Sequence, residues 1–443
     1  MFRPIAFVKA LVVSAIVLSG VGTVQAMDIE RVVSPRGIEA WLVKDSSVPV
    51  ISFSFAWRSG TSHDPQGKEG RARMLAALLD EGAGDLDSQA FQRRLEDNSI
   101  RLGFSANTDT FRGNLRTLSG NRDEAFRLLA LAVNSPRFDP EPVERIRSQL
   151  VVRLRAAQED PDTIAVRTWY RTVFPEHPYG RPGDGTIESI KAISVPDLKD
   201  FASRHFVRKG LVIGVSGDIG AAELSRRLDE VFGRLPASRP ASKVANVAPS
   251  NPGKVIVVKH DVPQSVVLFG QEGVRRNDPD WYAAYVMNRI LGGGGFSSRL
   301  MEEVREKRGL AYSVYSYLSP FEHTALYMGG VGTANARVAE SLNIIRAEWT
   351  RMAEHGVTEK ELASAKTYIN GSFPLRLDSN RRIAGLLVAV QINRLGIDYI
   401  GRRAKLIDAV TVADIKRVAK RLLNPGKLTV VVVGKPEGLE ETK

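Results

Sequence analysis

Residues 48–65 read VPVISFSFAWRSGTSHDP, and residues 262–279 read VPQSVVLFGQEGVRRNDP. In each, Val-Pro opens onto a run rich in β-branched and aromatic residues, Val50 to Trp57 and Ser265 to Gly270, which predicts a strand. In each, an Asp-Pro turn then follows at the same distance: Pro65 stands to Pro49 as Pro279 stands to Pro263. A helix comes next, ending near Gly82 or at Gly292. The far ends of the two halves also match. Asp197-Leu198-Lys199, Ala202 and Leu211-Val212-Ile213 are echoed by Asp414-Ile415-Lys416, Ala419 and Leu428-Thr429-Val430. The step from Asp197 to Asp414 exceeds the step from Pro49 to Pro263 by three positions, so one short insertion reconciles them. Two matches in the same order mark a duplicated chain.

Around these anchors each half mixes strands with helices. Gly37 to Asp45, Ile100 to Asn107 and Gly113 to Leu118 read as further strands, with a turn around Asp109. Met74, Leu75, Leu78 and Leu79 have helical spacing, as do Phe126, Leu128, Leu129 and Leu131. Neighbouring strands with helices grouped apart predict an α+β sandwich in each half. Between the halves, Leu235 to Pro252 is rich in Pro, Ala and Ser without periodicity and reads as an extended linker. The expected organisation is therefore 27–236, a linker at 237–254, and 255–443.

Residues 1–26 stand apart. Arg3 and Lys9 precede an apolar run from Ala10 to Gly20, and Val24-Gln25-Ala26 closes on a small residue. This pattern predicts a secretory signal peptide cleaved after Ala26; the other reading is a membrane anchor, for which the run is short. The chain of 443 residues carries a formal charge of +12, or +10 without Arg3 and Lys9, and contains no cysteine. An exported chain without disulfides fits a bacterial periplasm, and thiolate metal sites are excluded. The basic residues are scattered rather than arranged with aromatics in a stripe, which argues against nucleic-acid binding.

Several segments carry a resemblance. They are Gly60-Thr61-Ser62 through Asp64-Pro65, Gly67-Lys68-Glu69-Gly70, Phe174 to Gly180 (FPEHPYG), Ser297-Ser298-Arg299-Leu300, and Arg305 to Ser313 (REKRGLAYS). Together they resemble the pitrilysin/insulinase-like zinc peptidases, including the mitochondrial processing peptidase. The resemblance implies two duplicated α/β-sandwich domains around a cavity. The family signature H-x-x-E-H, two zinc-binding His and a Glu that activates water, falls here on Arg73, Ala76 and Ala77. The segment that would bring the third ligand, Ser148 to Arg155, contains no acid. Imidazole and carboxylate lone pairs hold zinc; guanidinium and methyl groups cannot. Of the six histidines (His63, His177, His205, His260, His323 and His355), no two have helical ligand spacing. No G-x-S-x-G elbow or cysteine nucleophile offers another hydrolytic route.

Two features of the second half resemble the family's substrate-handling parts. One is the loop Gly292-Gly293-Gly294-Gly295-Phe296, which lets a peptide backbone approach closely or is simply a flexible helix cap. The other is Arg305 with Tyr312, which the resemblance casts as a clamp on a substrate carbonyl and its developing oxyanion. The plainer readings are Arg305 pairing with Glu302 on a solvated helix, and Tyr312 as a half-buried strand aromatic. Some members of the family divide labour between two chains, one with H-x-x-E-H and one with the loop and pair. The resemblance thus implies a substrate-binding subunit of a heteromeric zinc metallopeptidase, with zinc and general base in a homologous partner. The alternative is a catalytically inactive scaffold, as in the core subunits of the respiratory cytochrome bc1 complex.

Overall fold

The computed structural model describes residues 27–240 and 243–442. The expected signal peptide at 1–26 lies outside them. Among the described residues, eleven strands form two sheets. The strands are β1 (Glu30–Val33), β2 (Glu39–Lys44), β3 (Val50–Trp57), β4 (Arg101–Ala106), β5 (Phe111–Leu118), β6 (Val212–Gly217), β7 (Val255–Lys259), β8 (Gln264–Glu272), β9 (Ala311–Pro320), β10 (Ala325–Ala334) and β11 (Thr429–Gly434). The first sheet has the order β1-β2-β6-β3-β5-β4 and the second β7-β11-β8-β10-β9. Apart from β1, the two orders are the same. In both sheets the last strand of the half, β6 or β11, runs parallel to one neighbour and antiparallel to the other. The duplication read from the Val-Pro and Asp-Pro anchors is thus a duplication of topology. This is a mixed α+β protein of the sandwich type.

Each sheet carries a layer of its own helices on one face. In the first half, Phe53, Phe55 and Trp57 of β3 meet Phe126 and Phe232 from the helices Arg122–Asn134 and Ala221–Phe232 in a buried aromatic cluster. In the second, Phe269 of β8 packs edge-on to Trp349 of the helix Val338–His355. These cores remove large apolar areas from water, the main favourable term in folding.

The other faces are covered reciprocally. The helix Pro161–Val173, from the first half, lies on β8 and β11 of the second sheet. The helix Asn380–Ile392, from the second half, lies on β3 and β6 of the first. Close approach is built in on both sides. A Cβ at Gly270 would stand 2.7 Å from the Trp169 ring, and one at Gly214 would stand 2.7 Å from Leu387 Cβ. Trp169 is fully buried there and donates Nε1–H to the Thr429 carbonyl (3.0 Å). The linker is tied along this seam, through Val247 N to His323 O (3.0 Å) and Ser250 N to Val173 O (2.8 Å).

The first helix after β3 is shorter than the periodicity of Met74 to Leu79 predicts. It spans Arg71–Ala76, and the chain continues in tightened turns, with Leu78 N bonding Leu75 O and Glu81 N bonding Leu78 O. The Gln92 side chain donates to the Asp80 carbonyl (2.8 Å), so that group is not left for a further helical turn. Among the described residues, no helix is long and apolar enough to cross a membrane.

Candidate functional site

The chain that leads to the signature positions is anchored by one buried carboxylate. Asp64, 2% exposed, accepts from Gly70 N (3.0 Å) and Ala72 N (3.1 Å) and lies 3.8 Å from Arg71 Nε. Burial pushes its pKa up to about 7, against the pull of these donors. The loop Gly67–Gly70 and the start of the helix Arg71–Ala76 are thereby fixed. Two residues into that helix, Arg73 forms an ion pair with Asp184, and its Nε is buried without an acceptor among the described residues. Burial lowers the Arg73 pKa, and Arg153 on the helix Pro140–Glu159 lowers it further. Ala76 is buried and Ala77 partly so.

The signature positions and the later helix therefore supply two guanidinium groups and two methyl groups. None has a lone pair directed at a cation, and the two arginines would repel one. The residues present do not fit zinc. Among the described residues, no group of three or more His, Asp or Glu side chains is arranged to hold a metal ion.

The fold does bring together two histidines from opposite ends of the first half. The rings of His63 and His205 lie 4.8 Å apart, and His205 also rests on Phe201 at 4.4 Å. His205 is 6% exposed, and its pKa falls to about 3, mainly through burial and then through His63 and Arg71. Asp200 raises it and Arg204 lowers it. The folded pKa lies below the ordinary histidine value, so the neutral ring's contribution is complete above pH ~6.5 and is lost as pH falls toward the folded value. Asp64 acts oppositely, because a raised carboxylate pKa removes stability as pH rises from ~4 through 7. His205→Leu is therefore expected to flatten the acid limb of a Tm-versus-pH curve between pH 6 and 4, while leaving the Asp64 limb in place. An unchanged acid limb would show that His205 is not the group responsible.

The loop and pair of the second half form a single cluster. After the helix Trp281–Leu291, Gly292 N and Gly293 N both bond Asn288 O (3.0 and 2.7 Å). Gly292 O accepts from Ser316 N (3.2 Å), on the edge strand β9. A Cβ at Gly292 would lie 2.3 Å from Ser316 Oγ, so only glycine allows this contact. Gly294 and Gly295 lead to Phe296, whose ring stays 67% exposed. Arg305 lies in a π-helical stretch, Met301–Glu306, a local widening that often marks functional positions. Its guanidinium sits 4.7 Å from the Phe296 ring centre and 4.9 Å from that of Tyr312. Its Nη1 donates to the Tyr312 carbonyl at 2.7 Å.

Tyr312 is 78% exposed, so it is not a half-buried strand aromatic. Glu302 pairs with Lys307 (3.0 Å), while Arg305 pairs with Glu306 (3.4 Å). Phe296, Arg305 and Tyr312 thus place a cation within cation–π distance of two exposed rings at the edge of the second sheet. The family resemblance pairs Arg305 with Tyr312. The contact of Phe296 with Arg305 joins the glycine loop to the π-helical stretch and has no periodic signature.

Comparisons with known proteins agree with this fold. The pattern described as "Peptidase M16 inactive domain" matches residues 192–369. A Helicobacter pylori protein named "Non-peptidase homolog YmxG" is 30% identical over 331 residues, 74% of this chain and 76% of that one. An uncharacterized zinc protease of Streptomyces coelicolor is 30% identical over 292 residues, 64% of this chain and 63% of that one. The crystal structure of a peptidase M16 inactive domain from Pseudomonas fluorescens superposes with a TM-score of 0.87 at 27% identity, covering 94% of this chain and all of the other. The shared fold, the level of identity and the replaced ligand positions together show that the chain belongs to the pitrilysin/insulinase-like M16 peptidase family, as a member that lacks the zinc site.

Proposed function

We propose that this chain is the non-catalytic, substrate-binding subunit of a heteromeric zinc metallopeptidase. The observation that carries this reading is an asymmetry within one chain. The signature positions hold Arg73, Ala76 and Ala77, yet the Phe296–Arg305–Tyr312 cluster is assembled, exposed and tied by a hydrogen bond. A chain that retained the family fold only for packing has no need of two large aromatic rings in solvent around an arginine. Zinc and the general base belong to a homologous H-x-x-E-H chain, and this chain would hold the peptide against it. The sequence of residues 1–26 supports export, and we place the complex in the periplasm.

The test is reconstitution. Co-expression with an H-x-x-E-H homologue is expected to yield a heteromer that cleaves a quenched fluorescent peptide library. The partner alone is expected to be slower by about 100-fold or more, the range seen when oriented transition-state donors are lost, and this chain alone is expected to be inactive. Hydrolysis by this chain alone would overturn the reading. So would a partner equally active without it; a stable complex with no effect on turnover would assign it the scaffolding role instead.

A further inference from the structure

The two hairpin tips, residues 107–110 between β4 and β5 and residues 321–324 between β9 and β10, meet across the two halves. Asp109 clasps them: one carboxylate oxygen accepts from Tyr179 OH (2.6 Å) and the other from Glu322 N (2.9 Å). Beside this clasp lies a cavity of about 400 Å³. Five arginines line it, Arg58 and Arg112 from the first half and Arg275, Arg276 and Arg394 from the second. Among the described residues, Asp109 and Glu322 are the carboxylates of the lining, so the wall carries a surplus of positive charge.

The partners of these arginines show how much of that charge is uncommitted. Arg58 (3.0 Å) and Arg394 (2.7 Å) share the single Glu322 carboxylate. Arg275 donates to the Glu322 and His323 carbonyls, at 3.2 and 3.1 Å. Arg276 donates to Tyr399 OH (3.0 Å) and lies over the Trp281, Tyr282 and Tyr399 rings. Arg112 donates Nε–H to Thr110 Oγ1 (3.1 Å), and burial lowers its pKa with no carboxylate to offset it. Like charges gathered in a cleft with low-dielectric walls focus a positive potential there. Guanidinium forks are the groups best matched to oxyanions.

A second observation is independent of charge. The helix Asn380–Ile392 ends with Leu395 N bonding Val390 O, the turn that ordinarily places glycine in the left-handed position. That position is Arg394, with φ +54°. A non-glycine residue in this strained conformation, largely exposed at the rim of a cavity it helps to line, points to function rather than to stability.

We propose that this cavity binds a small polyvalent oxyanion, of the diphosphate or tricarboxylate class, held by Arg112 and Arg394 and bridged to Arg275 and Arg276. The site is separate from the Arg305 cluster and does not depend on the peptidase reading. By joining arginines of both halves, the anion would secure their relative placement. The volume matches a small-ligand site.

The purified full chain would be titrated calorimetrically with pyrophosphate and, separately, with citrate. Chloride at matched ionic strength serves as control. Saturable binding of one anion per chain is expected, with a Tm that climbs with ligand concentration. The tighter of the two anions assigns the ligand to phosphates or carboxylates. Arg112→Ala is expected to weaken binding about tenfold, the loss of one charge-assisted contact. Arg394→Gly is expected to weaken binding by about the same factor without lowering the Tm of the anion-free protein, because the left-handed strain is relieved as the contact is lost. Arg93→Ala, on an exposed helix face, is expected to bind like the parent. An equal Tm rise with chloride, or parental affinity in both the Arg112→Ala and Arg394→Gly variants, would overturn the assignment.

Discussion

Replacing Trp169 by alanine is expected to destabilise the protein by about 3–5 kcal/mol, the range for deleting a fully buried aromatic side chain. Three features put the value at the upper end. The indole is completely buried, its ring fills the space left by Gly270, and its Nε1–H satisfies the Thr429 carbonyl. Removing it leaves a cavity and an orphaned acceptor together. At the size of one half of this chain, such a loss lowers Tm by roughly 10 °C. The location of the damage matters as much as its size. Trp169 belongs by sequence to the first half but packs on β8 and β11 of the second. Hydrogen exchange should therefore show β8 and β11 amides losing protection while β3 and β5 retain theirs. Val152→Ala, at a position 64% exposed on the preceding helix, is the control and should change little. A loss below about 1 kcal/mol for Trp169→Ala would show that the crossed helix does not bind the halves together.

That crossing shows where sequence reasoning stops. The repeat was legible because Val-Pro and Asp-Pro restrict the backbone locally, and local restrictions survive as spacing. Arg305 and Tyr312 are paired only through the family resemblance, which sets an Arg and a Tyr seven residues apart. Ala165, Trp169 and Val173 share the buried face of one helix, and nothing in their spacing says which sheet that face covers. The reciprocal exchange of helices depends on Gly270 and Gly214, which look like any strand glycine until another backbone comes near. Loss of the zinc ligands was legible because it is a matter of residue type. The pairing of Arg73 with Asp184, the contact of His63 with His205, and the five arginines around one cavity were not. Each joins segments remote from one another in the chain, and no pattern along the sequence records such a meeting.

Within the proposed heteromer, Arg305→Ala is expected to lower turnover about 100- to 1,000-fold, the effect of removing one oriented donor from an oxyanion site. The structure explains why this arginine suits the task. Its Nη1 is committed to the Tyr312 carbonyl and its guanidinium lies over both the Phe296 and Tyr312 rings. The far edge of the fork is then oriented before any peptide arrives, and little side-chain entropy remains to be lost on binding. Arg305→Lys keeps the charge but not the planar fork or the stacking, so it should recover only a small part of the rate. Tyr312→Phe removes one hydroxyl and keeps the ring, so about a tenfold loss is expected. Phe296→Ala leaves every donor in place but frees the guanidinium; if the ring acts only to orient that donor, it should lower kcat more than it raises KM. These positions are at the surface or partly so, and the variants should unfold within a few degrees of the parent. A rate loss with unchanged Tm therefore reports on the clamp and not on folding. Parental turnover in Arg305→Ala, with the complex still intact, would remove the clamp from the reading and leave the exposed cluster to serve partner recognition alone.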